Sequence, residues 1–333
     1  MTGKIKILIG YDGSDCAEAA LDDLRRAGLP PVAEAVVMSV TEIWMPPPPP
    51  STYQILELAN AVYVPADMTR VYAKGSPAVQ EAQGFADRAA ARLRANFPAW
   101  EVTAQASVGS ARRELIRQAD GWKPDLILVG SHGHSMVGRM VLGSVSQGVL
   151  THAHCSVRVA RGRVEEPDTP VRLLIGVDGS PASAAAVCEV ASRNWPRLSE
   201  VRVIAVTDPL TPTLAGRLIP PVGKAIKEAN QSEREWLKKV LDNACEQLRP
   251  SGLKVSSGIR EGDPKRALVK AAEEWGADCI FVGSIGFSSP FERFLLGSVS
   301  AAVAARAHCS VEVVRPRKDS GGNDERQFEY SRN

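Results

Sequence analysis

The sequence predicts an α/β protein that consists of two tandem copies of one doubly wound domain with a five-stranded parallel sheet. One observation is length, because 333 residues exceed what a single hydrophobic core usually supports. A second is an internal repeat that spans most of the chain. A third is the alternation of strand and helix signals within each copy, which is typical of parallel sheets flanked by helices.

The repeat is visible in three short segments. ILIGYDGS at 7–14 recurs as LLIGVDGS at 173–180, at an offset of 178 − 12 = 166. LGSVS at 142–146 recurs at 296–300, and AHCSV at 153–157 recurs at 307–311, both at an offset of 154. Three matches in one order indicate a duplication.

The offset falls from 166 to 154, which indicates that the middle of the first copy contains about a dozen extra residues. We place them in 45–74, a segment that contains the proline run 46–50 and that we interpret as a stiff surface connection. The first domain is expected over 1–162, the linker over 163–170 and the second domain over 171–316. The polar stretch 317–333 is expected to be a flexible tail.

Each copy is expected to contain five strands and four helices. Ser14 is the expected N-cap of the first helix. In the first copy the strands are expected at 4–10, 34–41, 101–107, 125–130 and 156–160, and the helices at 14–27, 79–96, 111–122 and 144–152. In the second copy the strands are expected at 172–177, 200–206, 253–259, 278–283 and 310–314.

Composition narrows the possible partners and compartments. The net charge of +2 gives no general attraction to nucleic acid or to an anionic membrane. The apolar runs are strand-sized and the N-terminus has no signal-peptide pattern, so we expect a cytoplasmic protein without a membrane span. The six cysteines form no CxxC or CxxxC pair, which leaves a metal site unsupported and favours buried, reduced thiols.

A glycine-rich loop follows the fourth strand of the first copy. Gly130 and Gly133 are followed, after nine residues, by Gly143 and Ser144 at the start of a helix. Glycines allow backbone N–H groups to approach an oxyanion, and a helix N-terminus favours negative charge. With added hydroxyl donors from Ser144 and Ser146, the loop indicates a phosphate site. The alternative is that the glycines only turn the chain and that Ser144 only caps a helix.

Asp12 ends the first strand. Ligands of open α/β sheets bind beyond the carboxyl ends of the strands, where the strand order reverses, so Asp12 and the glycine loop are expected to share one crevice. A carboxylate there can accept hydrogen bonds from an exocyclic amine or a ribose hydroxyl. The alternative is that Asp12 serves only a turn with Gly13.

Together, the strand aspartate and the Gly-x2-Gly-x9-Gly-Ser pattern closely resemble the ATP-binding class of universal stress proteins, over nearly the whole chain. The resemblance implies an adenine nucleotide α-hydrolase-like, Rossmann-like fold that binds ATP with Mg2+ or Mn2+. It implies that Asp12 and the backbone at Val40 contact adenine. It further implies that Gly130 and Gly133 line the ribose and phosphates, and that Gly143 and Ser144 hold the phosphates.

The second copy retains most of the pattern. Its matching positions are Asp178, Val206, Gly283, Gly286, Gly297 and Ser298. Ten residues, rather than nine, separate Gly286 from Gly297, and the extra residue lies within 287–292 beside Pro290. We therefore expect a weaker hold on phosphate in this copy.

Three functions remain open from the sequence. The leading one is a non-catalytic, ATP-dependent regulator of the stress response. A slow ATPase or nucleotidyl-transfer enzyme is the second, although no nucleophile–base pair is evident. The third is a structural pseudo-dimer with a single nucleotide site. The resemblance also implies that the copies pair through their last strands, 156–160 against 310–314, and a homodimer is the further alternative for assembly.

Overall fold

The computed structural model describes residues 4–42, 77–133, 142–161, 169–209, 220–285 and 296–316. Their strands form one ten-stranded sheet in the order β3-β2-β1-β4-β5-β10-β9-β6-β7-β8. The first copy supplies β1 Ile5–Gly10, β2 Ala33–Thr41, β3 Glu101–Val108, β4 Leu126–Gly130 and β5 Ser156–Ala160. The second supplies β6 Arg172–Val177, β7 Glu200–Thr207, β8 Lys254–Glu261, β9 Cys279–Gly283 and β10 Ser310–Val314.

Eight α-helices lie in the described residues, four from each copy. In the first copy they are α1 Asp15–Leu24, α2 Pro77–Asn96, α3 Ala111–Trp122 and α4 Ser144–His152. In the second copy they are α5 Pro181–Ala191, α6 Pro220–Leu248, α7 Pro264–Trp275 and α8 Ser298–Arg306. Within each copy all neighbouring strands are parallel and follow one doubly wound order, with the first strand between the second and the fourth. The predicted fold class is confirmed.

Local chemistry explains where the first helix of each copy begins. Ser14 accepts a hydrogen bond from the Ala17 amide at 3.2 Å, as the sequence predicts, and Ser180 caps α5 in the same way. The central strands are buried on both faces, with Ile7, Leu8 and Ile9 at most 1% exposed, so they are apolar runs without alternation.

Every predicted end lies within three residues of the observed one. Helix α1 stops at Leu24 rather than 27, because the chain turns through residues 25–28. Helix α6 has 29 residues against 20 for α2, and its first half is largely exposed. The proline-rich segment 45–74, most of the linker and the tail 317–333 lie outside the described residues.

The two copies join through their last strands. Strand β10 pairs antiparallel with β5, with Val311 opposite Val159 and Glu312 opposite Arg158. This is the pairing that the family resemblance implies, and here it forms within one chain. It converts two exposed sheet edges into one continuous sheet.

Two equivalent arginines add reciprocal contacts beside this strand pair. Arg161 of the first copy donates to the Ala304 carbonyl oxygen near the end of α8, at 2.7 Å. Arg315 of the second copy donates to the Leu150 carbonyl oxygen near the end of α4, at 2.6 Å. Each guanidinium therefore neutralises the negative end of a helix that belongs to the other copy.

The hydrophobic cores reflect the same arrangement. On one face of the sheet, a single cluster includes residues of both copies, from Leu8 and Ile127 to Ile280 and Val313. On the opposite face each copy has its own cluster, under α1 and α2 in the first copy and under α5 and α6 in the second. The shared cluster ties the two copies together by apolar burial as well as by strand pairing.

The cysteines are free thiols in different environments. Cys279 is buried, as the sequence predicts, but Cys188 is exposed on α5, which differs from that expectation. Burial raises the pKa of the Cys155 and Cys309 thiols to about 12. Because the thiolate is the reactive form, these two should react slowly at neutral pH.

We predict that Cys188 is the first cysteine modified by a thiol reagent in the folded protein at pH 8. The modified sites can be mapped by mass spectrometry after brief exposure to iodoacetamide. A Cys188→Ser variant should lose the fast phase of thiol modification and keep the slower phases of the other cysteines. Modification of Cys155 or Cys309 as fast as Cys188 would contradict the burial described above.

Candidate functional site

The predicted site residues meet at the point where the strand order reverses. Asp12 follows β1 and Gly130 ends β4, and these two strands are neighbours in the sheet. A Cβ atom added to Gly133 would lie 2.7 Å from Asp12 Oδ2, so the aspartate and the glycine loop are in contact. In the second copy, Asp178 and Gly283 lie at the ends of the equivalent strands β6 and β9.

Hydrogen bonds orient the carboxylate in both copies. Asp12 Oδ1 accepts from the Ser14 amide at 3.0 Å and from the Ser14 hydroxyl at 2.6 Å. Asp178 Oδ1 accepts from the amide and hydroxyl of Ser180 at 3.0 and 2.5 Å. Asp12 therefore does stabilise the turn that contains Gly13, the role that the sequence left as an alternative. Because both aspartates are also exposed at the crevice, the same hydrogen bonds hold a carboxylate oriented for a ligand.

An aromatic ring packs on the turn after each aspartate. Gly13 has a φ of +77° and its missing Cβ would lie 2.4 Å from the Phe85 ring. Gly179 has a φ of +76° and is covered in the same way by the Trp236 indole, 2.6 Å from the Cβ position. Both features require glycine. Sequence reasoning missed Phe85 and Trp236, since the Asp-Gly dipeptide signals the turn but not the ring that covers it.

The other end of the crevice is a helix N-terminus. The Gly143 amide donates to the Ser131 carbonyl at 2.9 Å, and the Gly297 amide donates to the Ser284 carbonyl at 2.6 Å. These two glycines are the N-caps of α4 and α8, and within the described residues neither helix has a side-chain cap. The first-turn amides of α4 and α8 therefore suit an anion. Ser144 and Ser298 stand exposed at the first helical position.

Three predicted site residues have packing roles. A Cβ atom on Gly130 would lie 3.0 Å from the Cys16 carbonyl oxygen, and one on Gly283 would lie 2.5 Å from the Ala182 carbonyl carbon. These glycines let α1 and α5 approach the strand ends. The sequence predicts a hydroxyl donor to phosphate at Ser146, but this side chain is 5% exposed and donates to the Gly130 carbonyl oxygen at 2.6 Å.

The second copy contains a cleft of about 250 Å³ that joins the two ends. Asp178 lies in its lining together with Gly283, Gly297 and Ser298, so the structure brings these predicted residues together. Its apolar walls are formed by Ile204, Val206, Leu268, Val282, Ile285 and Val299. A cleft with apolar walls, one carboxylate and a helix N-terminus can hold a flat apolar group that carries an anionic tail.

The two copies differ at the loop that follows the fourth strand. His132 of the first copy stands where the second has Ile285, and its Nδ1 lies 2.9 Å from the Ser131 hydroxyl oxygen. Val40, the counterpart of Val206, is half-buried against the shared core. Gly286 and Pro290, together with the extra residue of the second loop, lie outside the described residues.

Across the described ranges, no group of three or more His, Cys, Asp or Glu side chains could hold a metal ion. No helix in the same ranges is long and apolar enough to cross a membrane.

Comparison with known proteins assigns the family. Residues 5–161 and 171–315 each match the sequence profile of the Universal stress protein family. The chain belongs to this family. Because the two matched segments follow one another along the chain, it is a tandem universal stress protein with two family domains.

Individual relatives agree with this assignment. A universal stress protein of Mycobacterium tuberculosis strain H37Rv is 28% identical over 320 residues, which cover 93% of this chain and 96% of the relative. One from Mycolicibacterium smegmatis is 35% identical over 197 residues, 58% of this chain and 62% of the relative. A crystal structure of a universal stress protein from Archaeoglobus fulgidus covers 93% of this chain with a TM-score of 0.58 and 21% identity, and shares the fold.

We predict that Gly283→Ala lowers the free energy of unfolding by about 1–3 kcal/mol, because the new methyl group meets the α5 backbone. The matched control is Gly121→Ala within α3, where a Cβ has open space and should raise stability by about 0.5–1 kcal/mol. Denaturant unfolding followed by circular dichroism measures both. Equal changes in the two variants would contradict the packing role of Gly283.

Proposed function

We propose that each domain binds an adenine nucleotide, ATP with Mg2+ or Mn2+, and that occupancy regulates a stress-response partner without catalysis. The observation that carries the proposal is the crevice at the strand-order reversal. It presents an oriented carboxylate at one end and an uncapped helix N-terminus at the other, with apolar walls between them in the second copy. The carboxylate suits the adenine amine or the ribose, the apolar walls suit the base, and the helix N-terminus suits the phosphates.

The residues present fit a nucleotide in the following way. Asp12 or Asp178 would accept a hydrogen bond from the adenine amine or a ribose hydroxyl, and Val40 or Val206 would lie beside the base. The amides at the start of α4 or α8 would hold the phosphates, whose charge the helix dipole favours. The metal ion would be held mainly by the phosphates, since Mg2+ usually keeps few protein ligands.

The lining of the second cleft favours binding over phosphoryl transfer. Among its described residues, Asp178 is the only acidic group, and its carboxylate is engaged by Ser180. None of these lining residues is Lys, Arg or His. Phosphoryl transfer needs an oriented nucleophile and cationic stabilisation of the transition state. The competing enzyme proposal is tested by turnover of ATP in the purified protein.

Nucleotide binding can be tested directly. We expect acid extraction of the purified protein, followed by chromatography, to release an adenine nucleotide, and calorimetry of the stripped protein to detect ATP binding. Gly143→Val should abolish binding at the first site, because a Cβ there lies 3.3 Å from the Ser131 carbonyl oxygen and 3.5 Å from His132 Cα, so a valine side chain would displace the glycine loop. Undiminished first-site affinity in a folded Gly143→Val protein would contradict the assignment.

A conservative pair of variants separates the two sites. In Asp12→Asn and Asp178→Asn, the remaining side-chain oxygen can still accept from Ser14 or Ser180, while an NH2 group that donates replaces the second oxygen. Each variant should lose roughly tenfold or more in affinity at its own site, since a charge-assisted hydrogen bond contributes about 1.5–3 kcal/mol. Asp15→Asn, on the exposed first turn of α1, is the matched control and should bind as the wild type does.

The same variants test the predicted asymmetry. The second loop has one residue more and includes Pro290, which lacks an amide donor. We expect the Asp178→Asn protein, with the first site intact, to bind ATP about tenfold more tightly than the Asp12→Asn protein. Equal affinities would show that the extra residue does not affect binding.

A further inference from the structure

The strand pair that joins the two copies carries opposite charges at equivalent positions. Arg158 lies on β5 and Glu312 lies on β10, and 312 − 158 = 154 is the offset that relates the two copies here. The two residues face each other directly in the antiparallel register. Because an antiparallel pair of equivalent strands is related by a twofold axis, this central position meets its own counterpart.

These two side chains belong to a buried charge chain that we define as Asp23, Arg158, Glu312, Arg193 and Glu189. Its charges alternate in sign. Asp23 lies 2.5 Å from Arg158, which lies 3.1 Å from Glu312. Arg193 donates to Glu312 at 3.0 Å and lies 2.9 Å from Glu189. The side chains of Arg158, Glu312 and Arg193 are 2%, 0% and 4% exposed.

Burial makes the sign of each charge important. Burial alone would lower the pKa of Arg158, but Asp23 and Glu312 raise it above its ordinary value, so the guanidinium stays charged. In such surroundings a buried charge without an opposite partner costs several kcal/mol, whereas an exposed pair is worth little.

Only one link of the charge chain joins the two copies. Asp23 and Arg158 both belong to the first copy, and Glu312, Arg193 and Glu189 all belong to the second. These internal contacts can form whichever partner a copy has. The Arg158–Glu312 contact forms only between unlike copies. Two first copies would place arginine against arginine, and two second copies would place glutamate against glutamate.

We infer that the Arg158–Glu312 pair selects pairing of the first copy with the second and disfavours pairing of like copies. Each sheet edge thus recognises the other copy of the same chain. The pair therefore acts as a specificity determinant of the interface between the copies, and self-association through these edges is suppressed.

Charge reversals in the full-length chain reproduce the two like-copy arrangements. Glu312→Arg places arginine on both strands, and Arg158→Glu places glutamate on both. Each variant should lower the Tm by about 5–10 °C. The matched control is Lys254→Glu. Lys254 Nζ lies 3.1 Å from Glu200 Oε1 in an exposed ion pair between the neighbouring strands β8 and β7. This reversal should change the Tm by about 1–2 °C or less. Reversals at the interface that are as mild as the control would overturn the inference.

The double reversal Arg158→Glu/Glu312→Arg isolates the contact between copies. It restores opposite charges across the strand pair, although Asp23 and Arg193 then face like charges. Its Tm should be no lower than that of either single variant, whereas independent effects would add. An additive loss would overturn the inference. If the reversals prevent folding, the neutral variants Arg158→Gln and Glu312→Gln, alone and combined, allow the same comparison of single and double variants.

Cysteine trapping tests pairing specificity. Val159 and Val311 are opposite each other, so oxidised Val159→Cys/Val311→Cys protein should form an intrachain disulfide. In a pair of first copies the same register would place residue 157 opposite residue 159, so Val157→Cys/Val159→Cys protein would crosslink two chains. We expect that protein to stay a single chain on a non-reducing gel. Interchain crosslinking as complete as the intrachain reaction would overturn the inference.

Discussion

The hydrogen bonds between β5 and β10 remove two exposed sheet edges at once, and they determine which groups meet at the centre of the molecule. They bring Arg158 against Glu312 inside a buried interface, where unlike charges stabilise and like charges are costly. They also make the hydrophobic core on one face continuous between the copies. The arrangement of the two domains therefore depends on one antiparallel strand pair and the charges it buries.

Helices α4 and α8 link this interface to the proposed nucleotide sites. The N-terminus of each helix faces a crevice, and its last carbonyl groups accept hydrogen bonds from an arginine of the other copy. A helix of nine residues is short enough that the position of one end depends on the other. The C-terminus of each proposed phosphate-binding helix is thus fixed by an arginine of the other domain.

The crevice was largely accessible to sequence reasoning, because its residues follow strand ends. Asp12 and the Gly130–Gly133 loop meet as the strand order predicts, and Asp178 meets Gly283 and Gly297 in the second cleft. The roles of single groups were less accessible. The Ser146 hydroxyl is used within the protein, and Gly130 makes room for a helix backbone, because packing partners distant in sequence decide both.

By itself, the sequence determined the duplication, the alternation of strands and helices, the predicted element ends to within three residues, and the residues that share the crevice. These features follow from local patterns: apolar runs, caps, glycine spacing and repeated segments. Only the tertiary structure decided that Arg158 faces Glu312, that Arg193 and Asp23 extend this pair, and that Phe85 and Trp236 cover the glycine turns. Such contacts join residues far apart along the chain, and their partners become known only when strand register and helix packing bring them together.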